Sequence, residues 1–121
     1  MAIDIKQEIL DWYNTNEVGD EAEYFDEAWE DFNESLSTKA QTESQYKYTT
    51  PNLASGPAYK VDEFGGEGHG DDLWVVFQVG DQFFKVQGYY SSWDGGRYDD
   101  PTPFEVEPVQ VTVTKYHRKK K

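Results

Sequence analysis

The feature that most constrains this chain is an apolar stripe in its first third. Phe25, Ala28, Trp29, Phe32 and Leu36 recur at three- and four-residue intervals, which places them on one side of a helix turning 100° per residue. A strand alternates with a period of two and would split this set between both faces. The segment therefore has to be a helix laid on another apolar layer. Gly19-Asp20 in front of it supplies a break and an N-cap, with Glu23 at the capping-box spacing. The spacing predicts a helix over 20–36. A preceding helix over 2–14 is expected from Ile5, Ile9 and Tyr13 at four-residue intervals, widened by Leu10 and Trp12.

The opposite face of the second helix carries Glu23, Asp26, Glu27, Glu30, Asp31 and Glu34, and no Lys or Arg stands between Lys6 and Lys39. Glu23–Glu27, Asp26–Glu30, Glu27–Asp31 and Glu30–Glu34 are like-charge pairs four residues apart, each costing the helix roughly 0.2–0.5 kcal/mol. A face built only for solubility usually mixes signs. Six carboxylates over about 16 Å, at ~1.5 Å per residue, give one charge per ~3 Å. That is near the ~3.4 Å spacing of phosphates along a DNA strand. Two readings stand side by side: a solvated helix face, and an acidic strip that docks on a basic surface, such as one that normally holds nucleic acid.

Composition sharpens this. The 121 residues include 24 acidic and 11 basic side chains, a net charge of −13. Residues 1–36 carry −11 of it, residues 37–72 carry −3, and residues 73–121 are at +1. Direct nucleic-acid binding is excluded as an expectation, because phosphate contacts need a Lys/Arg surplus. The longest wholly apolar run, Leu73 to Phe77, is far short of the ~20 residues of a membrane helix. The opening Met-Ala-Ile-Asp-Ile-Lys lacks the basic and apolar regions of a secretory signal. With no cysteine, disulfides, thiolate metal sites and cysteine nucleophiles are excluded, and a cytoplasmic location is expected. Hydrophobic content is low, at 36%, but 17% of the residues are aromatic, and large rings compensate for a small apolar count. One domain over 1–116 is expected, with a basic tail at 117–121 that either extends into solvent or lies against the acidic helix.

The last two-fifths read as sheet. Leu73 to Val79 and Gln82 to Tyr90 are β-branched and aromatic runs joined by Gly80-Asp81, a two-residue hairpin signal. Leu73, Val75, Phe77 and Val79 point one way, and Trp74, Val76 and Gln78 the other. This suggests a central strand covered by helix on one side and by loop or partner on the other. Gln45–Thr50 and 58–64 are candidate additional strands. Phe104 to Tyr116 also alternates, with a phase change at Glu107-Pro108 where a bulge or edge position is expected. The glycine-rich stretch 65–72 fails the phosphate-loop register, and His69 has no neighbouring histidine to make a ligand pair.

Between the sheet runs lies Tyr-Tyr-Ser-Ser-Trp-Asp-Gly-Gly-Arg-Tyr-Asp-Asp-Pro, residues 89–101. Such a mix of rigid aromatics, adaptable Ser and Gly, and one Arg suits a recognition surface. Trp93, Arg97 and Tyr98 are its candidate contact residues. Alternatively Trp93 and Tyr90 fold back to plug the core while Arg97 and Tyr98 stay exposed. Asp94, Asp99 and Asp100 provide oxygen ligands for a hard cation, but an arginine sits among them and the spacing is not that of an EF-hand, so no metal site is assigned. Neither Ser91 nor Ser92 sits in a nucleophile elbow, and no catalytic residues and no cofactor are assigned. A divalent-ion-dependent hydrolase using the three aspartates is the least favoured alternative.

The stretch from Gly88 to Asp100, with Phe104-Glu-Val-Glu-Pro-Val and Val111-Thr-Val-Thr-Lys-Tyr, resembles the C-terminal half of small accessory proteins encoded by tailed bacteriophages. The resemblance implies expression in a bacterial host cytoplasm and a role in disabling a host enzyme or defence complex. The expected fold is α+β, with two N-terminal helices packed on one antiparallel sheet of three to five strands. The expected function is an acidic, non-catalytic protein-binding module whose partner is a basic surface of a host protein. The alternative is a structural or self-assembling module, a homodimer for example, held by its aromatic loop.

Overall fold

The computed structural model describes residues 4–16, 25–46, 48–65, 70, 72–91, 93, 95–98 and 101–119. Two helices, α1 (Ile5–Asn16) and α2 (Phe25–Ser35), come first. A single-turn helix, α3 (Lys39–Thr42), follows. The strands are β1 (Asn52–Leu53), β2 (Gly56–Gly65), β3 (Asp72–Val79), β4 (Gln82–Ser91), β5 (Gly95–Arg97) and β6 (Phe104–Val106). The architecture is α+β, as the residue pattern predicts. The proposed N-cap at Asp20 and capping-box Glu23 lie outside the described residues.

The sheet is antiparallel in the order β1-β2-β3-β4-β5, with β6 also on β4. β5 and β6 share one edge of β4, pairing with residues 89–91 and 83–85 respectively. The central hairpin closes at Val79↔Gln82. Gly80 adopts φ +59° there, the left-handed backbone that a tight hairpin turn requires.

The two helices cover one face of this sheet. Ile5, Ile9, Ala28, Trp29, Phe32 and Leu36 from the helical segment are buried with Leu53, Ala58, Val75, Phe77, Val79, Phe84 and Val86 from the sheet segment. Phe32 meets Phe77 edge to face with centroids 5.2 Å apart, and Trp29 lies 6.1 Å from Phe77. The α2 stripe thus lands on the inward parity of β3. Each fully buried ring or aliphatic side chain contributes about 1.5–3 kcal/mol of transfer free energy. The outward parity of β3 is covered by stacking within the sheet: Trp74 stacks on Phe64 at 5.8 Å, and the Lys85 ammonium sits 4.5 Å from the Trp74 ring.

Polar ties hold the layers together. The Glu8 carboxylate on α1 accepts from the Ser55 backbone N–H at 2.9 Å and from its hydroxyl at 2.6 Å. The buried Ser37, just past α2, donates its N–H to Thr50 Oγ1 and its hydroxyl to the Thr49 carbonyl. Its own carbonyl accepts from the Lys60 N–H at 2.8 Å. Thr38 and Gln41 form a reciprocal capping box at the start of α3.

Two expected strands differ. In the stretch Gln45–Thr50, Gln45 and Tyr46 lie in a turn and residues 48–50 are irregular. The hydroxyl of Thr50 bonds the Ala58 carbonyl at 2.5 Å, so that side chain occupies an acceptor at the end of β2. The strand expected over Phe104–Tyr116 is confined to Phe104–Val106. Residues 107–119 have no regular structure and are exposed. The reason is geometric: with Phe83↔Val106 in register, one further step reaches Gln82, where β4 begins. The partner strand ends where the phase change at Glu107-Pro108 is written.

Candidate functional site

The first turn of α2 is already charged, with Asp26 and Glu27. Asp26, Glu27, Glu30 and Glu34 are exposed and Asp31 is half-buried; Glu23 lies outside the described residues. The cause is the stripe on the other side. Once Ala28, Trp29 and Phe32 are pressed onto the sheet, the remaining positions must face outward. Lys60 and Glu63 form an ion pair at 3.4 Å, and Arg97 stands across the cleft from the α2 carboxylates. The Lys6 ammonium lies over the Phe25 ring, 5.2 Å from its centre.

The fold brings this face together with the aromatic loop. A cleft of about 340 Å³ runs between α2 and β5, lined by Asp26, Trp29, Glu30, Asn33, Glu34, Gly96, Arg97 and Tyr98. Three of the six candidate carboxylates and two of the three candidate loop residues thus share one concavity. Asp26, Glu30 and Glu34 are spaced four apart and line up along its helical wall, about 6 Å apart along the axis. Glu27 and Asp31 do not line it and belong to the outer flank of the helix. Trp93 is also outside it.

The loop assignments change roles. Trp93, a candidate plug, is 94% exposed. Tyr98, expected to be exposed, is half-buried and packs against the core, edge-on to Trp29. The backbone explains the exchange. β5 pairs Tyr89↔Arg97 and Ser91↔Gly95, which carries Tyr98 inward at the strand's end and leaves Trp93 at the tip of the turn. Gly88 is what lets the chain come so close. A Cβ there would stand 2.3 Å from the Arg97 carbonyl oxygen and 2.8 Å from the Tyr98 ring.

The Tyr98 hydroxyl is pushed up from 10.0 to about 12, first by burial, then by the negative charge of Glu63, with a hydrogen bond from the Asn33 side chain opposing both. It stays protonated and polar under ordinary conditions. The same ring walls a second cleft of about 270 Å³, with Asn33, Glu63, Phe64, Gly65, Leu73, Trp74 and Val75.

Three cleft residues were not singled out for the site by sequence reasoning. Asn33 lies seven residues from Asp26 and three from Glu30, so the helical wheel alone puts it beside them. Gly96 enters only through the β4–β5 pairing. Trp29 was assigned to the core, and it is 1% exposed, yet its indole Nε1–H is buried with no hydrogen-bond partner among the described residues. Such an unmade bond is unusual for a buried donor.

No group of three or more His, Cys, Asp or Glu among the described residues is placed to hold a metal ion; Asp94, Asp99, Asp100 and His69 lie outside them. Among the described residues no helix is long and apolar enough to cross a membrane. Comparison with protein-family models, with curated proteins and with solved structures returned no match.

Proposed function

We propose that this chain is a non-catalytic protein-binding module whose α2 face docks on a basic surface of another protein. The resemblance to phage accessory proteins supplies the setting: a bacterial cytoplasm, with the target a host enzyme or defence complex whose basic surface normally holds nucleic acid. The observation that carries the reading is the row Asp26, Glu30, Glu34 along one wall of a cleft. Carboxylates four residues apart on one helix face repel one another, and a partner's cation relieves that repulsion. An arginine or lysine of a partner entering this cleft would place its head group against the carboxylates and its stem beside the Tyr98 ring.

The test reverses Glu27, Glu30 and Glu34 to Lys and compares capture from a bacterial lysate at low and high salt. Expected are a salt-labile partner for the wild type and its loss in the variant, because exposed charge attraction is screened beyond ~8–10 Å at physiological ionic strength. Equal, salt-indifferent capture by both would refute the reading.

The self-assembly reading is favoured by one observation, the 94% exposure of Trp93 at a loop tip. With Tyr98 in the core, Trp93→Ala alone is the clean variant. A fall in sedimentation coefficient on that change supports the second reading.

A further inference from the structure

The exposed chain after β6 has an alternating apolar pattern. Val109, Val111 and Val113 share one parity and are 74, 77 and 67% exposed. Such a segment, rich in Val and Thr, favours strand, and β4 ends too soon to pair it. β6, which leads into it, pairs only with β4 among the described residues, so its other edge is open. The opposite end of the sheet is not an equivalent edge. β2 has an irregularity between Lys60 and Asp62, and the Asp62 carboxylate occupies the Glu63 N–H at 2.9 Å. A bulge and charged side chains are how natural edges refuse another strand.

We infer that residues 105–117 pair antiparallel with the same residues of a second copy, about a two-fold axis through Val111. Charge selects the occupant. With Val111 opposite Val111, Val109 faces Val113, Glu107 faces Lys115, and Glu105 faces His117. Each off-axis contact occurs twice by symmetry, as in any isologous interface. Moving the axis by one residue either way sets a valine against Glu107 or Lys115. Parallel pairing in register stacks Glu107 on Glu107 and Lys115 on Lys115, and like charges directly opposite are destabilising. Pro108 fits the same register. If the Val111 pair is hydrogen-bonded, alternation makes Pro108–Thr114 a non-hydrogen-bonded pair, in which the missing N–H is not needed. The opposite-parity face would bring Val106 beside Tyr116. Because β6 stays on β4 in each copy, the pairing extends each sheet from its open edge. This surface is separate from α2 and from the aromatic loop.

The chain has no cysteine, so single-cysteine variants report the register directly. Under mild oxidation of the full chain, Val111→Cys should give a disulfide-linked dimer. Val109→Cys and Val113→Cys should each stay free of cross-links alone and cross-link when mixed. In sedimentation velocity, Glu107→Lys should raise the dimer dissociation constant about tenfold, since two cross-strand pairs turn repulsive. Glu107→Lys with Lys115→Glu should restore it. The charge-reversed α2 variant should dimerise like wild type, which separates this inference from the docking function. A wild type that stays monomeric at all concentrations overturns the inference. So does cross-linking of Val111→Cys no faster than of Val109→Cys. So does a dimer abolished by Trp93→Ala and indifferent to Glu107→Lys.

Discussion

The Tyr98 ring meets the Trp29 indole edge to face, with centroids 5.5 Å apart and planes at 72°. One residue comes from the helix and the other from just beyond the last residue of β5, so this contact fixes the width of the acidic cleft. Edge-to-face pairs contribute about 0.5–1.5 kcal/mol beyond area burial. Tyr98→Ala should therefore lower stability by about 2–3 kcal/mol, from this term and a half-buried ring. It should also weaken partner capture, because the cleft loses a wall. Denaturant titration and pull-down check the two halves.

The Tyr98 hydroxyl gives a pH signature. Its folded value is raised to about 12, above the ordinary 10 of the unfolded chain. Between these, the unfolded state has lost the proton and the folded state keeps it. The contribution is complete below pH 10 and lost as pH rises from 10 towards 12. Tyr98→Phe should flatten the stability profile in that window. Absorbance titration near 295 nm should show a late-titrating component in the wild type that is missing from the variant.

The core couples helix to sheet through two rings. Phe32→Ala and Phe77→Ala should each cost about 3–5 kcal/mol. At 5.2 Å the rings share a contact, so the double variant should cost less than the sum by about 0.5–1.5 kcal/mol. A strictly additive double-mutant cycle would show that the contact carries no energy of its own.

Glu30 belongs to two like-charge pairs, with Asp26 and with Glu34. Glu30→Gln should stabilise the fold by about 0.4–1 kcal/mol, the sum of two relieved repulsions. The same change should weaken binding to a basic partner. Opposite signs in thermal shift and capture are the expected outcome. The wild type should also gain stability with added salt, and the variant less so.

Gly88→Ala should be disruptive out of proportion to one methyl group. The new Cβ would meet the Arg97 carbonyl and the Tyr98 ring well inside contact distance. It should cost upwards of about 2 kcal/mol and free β5, seen as faster amide exchange of residues 95–97 by NMR.

These elements differ in how far they could be read in advance. The α2 stripe and the central hairpin were legible because each rests on a local rule: a 3.6-residue period, and a two-residue turn with a left-handed glycine. The acidic face was legible for the same reason. The cleft was not, since it depends on β5 pairing with β4, which three residues of Gly-Gly-Arg do not announce. Burial of Tyr98 rather than Trp93 follows from that pairing and from Gly88, neither visible in composition. The strand expected to reach Tyr116 failed through the length of its partner. Residues 109–116 have strand chemistry and pair with no strand among the described residues. The capping box at Thr38 and Gln41 was legible and overlooked, being short and set in a polar run.

The Glu8–Ser55 tie spans 47 residues, and the α2 rings meet Phe77 and, through Trp29, Tyr98, still later in the chain. During synthesis both helices leave the ribosome before either anchor exists. A pair of short acidic helices has too little of its own to hold it. Because helix and sheet share one core, a lesion in the β3–β4 hairpin should appear as loss of helix.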